Sequence, residues 1–196
     1  MFKKLLFLGV TFFAVSLNAF EITRATEEDR TGIRAILEQD LDTHYIIDGP
    51  INPLDKEESL EFTLFTALRN EEYTTLIARE EGHTVGFITY KHHVDLVTTF
   101  YEWLMRERVR MVQHMGVHSN YQRQGIGTTL IEQTAQNLKQ DGINYLILCV
   151  ITKNEKARRF YEKQGFYITY PGQHRISAER IEELKTEPQQ YYELEL

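Results

Sequence analysis

Between Arg108 and Ile151 the chain reads as a strand, a glycine-bearing turn, a helix and a second strand, an order that few architectures accept. "RVRMVQHMGVH", Arg108 to His118, has strand character and delivers the chain into "NYQRQGIGTTL". After that turn Ile126, Leu130, Ile131, Thr134, Ala135 and Leu138 mark one face of a helix, and Gly142 in "QDGIN" stands where a C-terminal cap belongs. "INYLILCVI", Ile143 to Ile151, is a near-continuous apolar run, the pattern of a strand covered on both faces. Strand, turn, helix, strand is a parallel crossover unit, the building block of α/β folds.

The N-terminal half supplies further alternating elements. "FEITRAT" has strand character and precedes "EEDRTGIRAILEQDL", where Ile33, Ile36, Leu37 and Leu41 recur at helical spacing behind an acidic first turn. "DGPINPLDKEE" is a looser, proline-bearing stretch leading into a second helix around Ser59 to Arg69. "YTTLIARE", the turn "EGH" and "TVGFITYKHH" read as a hairpin. Val94 to Glu107 is weakly patterned and fits either a helix or a strand extension.

Composition narrows the function classes. A chain of 196 residues, 42% hydrophobic, has material for one ordinary core. Its net charge of -7, with no run of Lys or Arg, argues against nucleic acid, because neutralising a phosphate backbone needs clustered cations. The single Cys149 forms no internal disulfide, and no Cys/His spacing resembles a metal site. His92 and His93 are adjacent, so on a strand they point to opposite faces and do not readily share a metal.

The first 19 residues stand apart. Lys3 and Lys4 precede an uncharged, mostly apolar stretch from Leu5 to Leu17, with small residues around Ala14, Ser16 and Ala19, the pattern of a secretory signal peptide. That stretch is shorter than the roughly 18 residues expected of a spanning helix, so membrane contact is expected only through an uncleaved leader. The alternative is a hydrophobic extension on a cytoplasmic protein. The domain expected from these boundaries covers residues 20–196.

Glycines at 125 and 127 remove side chains where the chain enters a helix, so backbone N–H groups can converge on an anion at the positive helix end. A nucleotide P-loop needs a lysine that Gly127-Thr128-Thr129 lacks, and a dinucleotide turn needs a third glycine where Leu130 stands. A solvated tight bend would use the same glycines.

At these residues the chain resembles the GNAT (Gcn5-related) N-acetyltransferases. Gln122-Arg123-Gln124-Gly125-Ile126-Gly127 matches that family's Gln/Arg-x-x-Gly-x-Gly/Ala signature. Downstream, "NEKARRFYEKQGF" is similar to its second signature through Asn154, Ala157, Phe160, Tyr161, Gly165 and Phe166. The resemblance is sharp from about Met111 to Phe166 and architectural elsewhere, where the N-terminal strand and helix and the terminal "YYELEL" suit a mixed sheet. It implies a mixed central sheet flanked by helices, with parallel strands splayed around acyl-CoA.

The resemblance also implies a reaction: direct attack of a primary amine on the thioester of acetyl-CoA, with no metal. Pyrophosphate would lie on the turn from Gln122 to Thr128, and the backbone of Met115 and Val117 would hold the acetyl carbonyl and pantetheine. Tyr161 would donate to the departing thiolate, although aromatics at its helical spacing also serve packing. Asn154 would contact the cofactor or ordered water, and helix capping alone would equally explain it. An amine with a lysine-like pKa of about 10.4 must lose a proton first. The family often places a Glu three residues before the valine matched by Val117; here His114 stands there, and an imidazole with a reference pKa of about 6.5 can take that proton. His114 could instead be a packed strand residue, which would leave a non-catalytic acyl-CoA-binding module. His118, on the same strand face, is expected at the surface. Acidic residues such as Glu27, Glu28 and Asp29, and "SAERIEELKTE", would steer a cationic amine, although a charge run is usually just a solvated helix face. Export conflicts with a cytoplasmic cofactor unless another cell or compartment supplies it.

Overall fold

The computed structural model describes residues 20–39, 56–92, 108–169 and 189–196. The leader, Leu41, His93, the uncommitted 94–107 stretch, most of the proline-bearing loop and the acidic "SAERIEELKTE" segment lie outside the described residues.

The elements follow in the order β1 (Glu21–Arg24), α1 (Arg30–Gln39), α2 (Lys56–Leu68), β2 (Tyr73–Glu80), β3 (His83–Lys91), β4 (Val109–Val117), α3 (Ile126–Gln140), β5 (Tyr145–Ile151), α4 (Glu155–Lys163), β6 (Tyr167–Thr169) and β7 (Gln189–Glu195). They build one mixed sheet of order β1-β2-β3-β4-β5-β7-β6, in which β4 and β5 pair in parallel and the other neighbours antiparallel. The second helix starts slightly earlier than its apolar pattern suggests, because Glu57 and Glu58 suit the positive end of a helix.

Helices cover both faces of the sheet. Ile33, Ile36 and Leu37 of α1 and Leu60 and Leu64 of α2 pack on Ile77 and Phe87. On the other face Ile126, Leu130, Ile131 and Leu138 of α3 pack on Ala78, Ile88, Val112 and Leu146. Two C-caps close α3 and α4 alike. Gly142 (φ +73°) and Gly165 (φ +88°) take the left-handed conformation, and the next residues, Ile143 and Phe166, donate back to Leu138 and Tyr161 carbonyls. No described helix is long and apolar enough to cross a membrane.

Of the three acids before α1, Glu27 and Glu28 are exposed and Asp29 is buried. Asp29 is 3% exposed and accepts hydrogen bonds from the Thr26 N–H at 2.8 Å, the Thr84 hydroxyl at 2.8 Å and the Arg79 guanidinium at 2.7 Å. Glu27 is paired with Arg69. These carboxylates fasten α1 to the sheet edge and to α2.

Candidate active site: a cleft between splayed strands

The site arises where parallel pairing stops. β4 and β5 are in register only at Val109–Tyr145, Arg110–Leu146 and Met111–Ile147. Beyond these pairs β5 continues against β7 and β4 against β3, leaving a cleft between them. Val112, His114 and Met115 line one wall, and Cys149, Ile151 and the start of α4, with Asn154, Ala157 and Tyr161, line the other.

A bulge in β4 decides which side chains face which way. Thr89 of β3 is opposite His114 and Tyr90 is opposite Val112, so Gln113 is an extra residue without a partner. The insertion reverses the alternation. Met115 and Val117 pack with the α3 side of the sheet, where Val112 also lies. His114 and Gly116 face the α1 side, where a Cβ on Gly116 would come within 2.6 Å of Ile36 Cγ2. His114 itself is 8% exposed.

The same register orients the β4 backbone. His118 N–H donates to Val85 O at 2.9 Å, and antiparallel pairs alternate between bonded and non-bonded. Gly116 is then hydrogen-bonded to β3, while Met115 and Val117 turn their N–H and C=O groups toward the cleft. Val117 O accepts the Gln122 side-chain amide at 3.1 Å, which fits this orientation.

The turn has the geometry of an anion cradle. Arg123 (φ +64°) and Gly125 (φ +87°) are both left-handed, and the first bond into α3 is Thr129 N–H to Gly125 O. The N–H groups of Ile126, Gly127 and Thr128 therefore precede the helical ladder at its positive end. The two glycines do different work. A Cβ on Gly125 would meet nothing within 4 Å, so that glycine is required by its φ. One on Gly127 would lie 3.1 Å from Phe160 Cζ and 3.2 Å from Met115 Cε, so its bareness lets α3 approach α4. Gly127→Val is expected to destabilise by about 1–3 kcal/mol through overpacking, measured as a lower denaturation midpoint.

The remaining candidates spread around this frame. Asn154 caps α4, its Oδ1 accepting the Ala157 N–H at 3.1 Å. Tyr161 packs edge-on against Phe160 and Phe166, at centroid distances of 5.1 and 5.5 Å, and points its hydroxyl at Met115 Sδ, 3.7 Å away. Burial pushes the Tyr161 phenol well above its ordinary value, so it stays protonated. Ile126 is core, 1% exposed. Gln124 bonds the Asn120 carbonyl, and Arg123 projects into solvent. His118 is half-buried and structural, its Nδ1 accepting the Asn120 N–H at 3.3 Å. His92 bonds the Thr74 hydroxyl at 2.7 Å, and among the described residues no group of His, Cys, Asp or Glu could hold a metal ion.

Two features of the site had no clear signature in the pattern. Gln113 looks like an ordinary strand residue because a bulge depends on the partner strand. Cys149, visible only as a lone cysteine, lines the cleft, and burial pushes its thiol up to about 12 although the Tyr191 side chain bonds to it.

Comparison with known proteins agrees with this architecture. The model for the acetyltransferase (GNAT) family matches residues 34–166. An N-alpha-acetyltransferase 60 from Xenopus tropicalis is 26% identical over 160 residues, 72% of this chain and 64% of that protein. The chain thus spans under two thirds of that relative's length. The PaiA N-acetyltransferase of Thermoplasma acidophilum, solved in complex with coenzyme A, superposes with a TM-score of 0.62 at 18% identity, covering 90% of this chain and 99% of that one. The ribosomal-protein-S18-alanine N-acetyltransferase of Escherichia coli gives 0.58 at 19%, covering 90% and 93%. At such identities the structural likeness speaks for the fold. The family match over most of the chain, together with that fold, shows that this protein belongs to the acetyltransferase (GNAT) family.

Proposed function

We propose that residues 20–196 form an acetyltransferase domain that binds acetyl-CoA in the cleft and passes the acetyl group to a primary amine. The observation that carries the reading is the splay of β4 from β5 beside a helix whose first N–H groups are free of the ladder. The residues suit such a ligand. The Ile126–Thr128 N–H groups would take the pyrophosphate, and the cleft-facing Met115 and Val117 backbone would pair with the pantetheine amides and the acyl carbonyl. Acetyl-CoA, when bound, supplies an activated thioester whose carbonyl an amine can attack, forming an amide and releasing a thiol.

The side chains divide across the sheet. Tyr161 and Met115 lie on the α3 and α4 side and His114 on the α1 side, so a proton can be withdrawn from the amine on one side while the Tyr161 hydroxyl meets the leaving sulfur on the other. A phenol raised above about 10 does not give its proton outright to a thiolate of pKa about 8.5, so Tyr161 acts as a hydrogen-bond donor. Cys149, held as a neutral thiol, is a poor acyl acceptor, which supports direct attack.

The names of the Xenopus and Escherichia coli relatives, N-alpha-acetyltransferase and alanine N-acetyltransferase, support an α-amine as acceptor. The leader is read as an export signal, with a cytoplasmic extension as the alternative.

One observation favours a second reading, a non-catalytic acyl-CoA-binding module. His114 is nearly enclosed and its place in β4 turns it to the α1 side, whereas Tyr161 lies on α4, and binding requires neither side chain. Acetyl-CoA binding and amine-dependent thiol release by residues 20–196, with His114→Ala alongside, separates the two. Turnover that falls by about a hundredfold in His114→Ala, with binding retained, is the expected result. Tight binding without turnover on any amine would establish the module. Unchanged CoA affinity after replacing both Gly125 and Gly127 by valine would remove the assigned turn.

A further inference from the structure

One hydrogen-bonded bridge crosses the mouth of the cleft. Lys156 Nζ, in the first turn of α4, donates to Gln122 Oε1 at 2.7 Å. The Gln122 Nε2 donates to Val117 O at 3.1 Å, so a single side chain links the end of β4 to α4. The neighbouring cations of α4 are otherwise engaged. Arg158 turns toward the Tyr192 hydroxyl and the Thr152 carbonyl, and Arg159 pairs with Glu155 at 2.9 Å. Lys156 is exposed and bonded to a neutral amide, beside the turn where free helix N–H groups converge.

We propose that Lys156 is a pyrophosphate ligand for acyl-CoA, held by Gln122 until the phosphates enter and then transferred to them. This rests on the acyl-CoA reading. A chain of net charge -7 repels a polyanion at long range, so binding needs a local cation, and a charge-assisted bond to phosphate is stronger than one to a neutral amide. Gln122 contributes by keeping the flexible ammonium at the mouth, which lowers the entropy lost when the phosphates arrive.

The test is calorimetric titration of CoA, and of 3′-dephospho-CoA, which keeps the pyrophosphate, into the wild type and Lys156→Gln, Lys156→Arg and Lys139→Gln. Lys139 lies at the opposite end of α3 and controls for net charge. Lys156→Gln is expected to weaken both ligands by about tenfold at low salt and less at high salt, with Lys156→Arg within about twofold of wild type and Lys139→Gln unchanged. Wild-type binding that Lys156→Gln leaves intact would overturn this inference alone. A loss confined to CoA would assign the lysine to the 3′-phosphate and overturn the pyrophosphate assignment. Wild-type protein that binds neither ligand would overturn the acyl-CoA reading itself.

Discussion

Asp29→Ala is expected to lower folding stability by about 3–5 kcal/mol, the usual cost of removing one partner from a buried ion pair. The mutation strands Arg79, whose side chain is 24% exposed, and leaves the Thr26 N–H and Thr84 hydroxyl without their acceptor. Burial alone would push the Asp29 carboxyl up; the bonds from Thr26, Thr84 and Arg79 outweigh it and hold the group below the usual carboxylate range. Its stabilisation is therefore complete above the unfolded value of about 3.9 and disappears as the pH falls through the lower folded value. Urea unfolding from pH 7 downward checks this: the wild type should lose stability below about pH 4, and the gap between it and Asp29→Ala should narrow in that window. A gap that stays constant with pH would show that the carboxylate's charge is not the source. The consequence reaches the cleft, because α1 lays Ile36 against Gly116 and sends Gln39 to the Ser119 N–H at 2.8 Å.

Tyr161→Phe is expected to lower kcat about a hundredfold, the typical loss of one preorganised donor, with acetyl-CoA affinity and thermal stability nearly unchanged. The ring keeps its edge contacts with Phe160 and Phe166, and the hydroxyl's neighbour is only the weak acceptor Met115 Sδ. Because burial raises this phenol, Tyr161 should produce no fall in kcat on the alkaline side below about pH 10. Steady-state kinetics with a turned-over amine, across pH, reads both effects. A variant as fast as wild type would reduce Tyr161 to a packing residue and move the protein toward the binding-module reading.

Much of this was legible without coordinates, and the residues show why. The crossover unit from Val109 to Ile151 is local: apolar periodicity, a positive-φ glycine before a helix and another after it are conditions that the nearest neighbours in the chain impose. The expected function of Asn154 as a cap follows from the same locality. Asp29 was misleading for the opposite reason. Three successive acids look like a solvated surface, and only Arg79 and Thr84, brought by a distant hairpin, make one of them a buried anchor.

The sequence by itself determined the α/β class, the parallel pair, the glycine turn and the capped helix carrying Tyr161, because each depends on short-range sterics and patterning. Tertiary structure alone decided the side of the sheet on which His114 lies, the point after Met111 and Ile147 at which β4 parts from β5, and the bridge from Gln122 to Lys156. A bulge exists only against a partner strand, and a cleft only where two strands find different partners. These are relations between distant segments, fixed when the core on both faces closes.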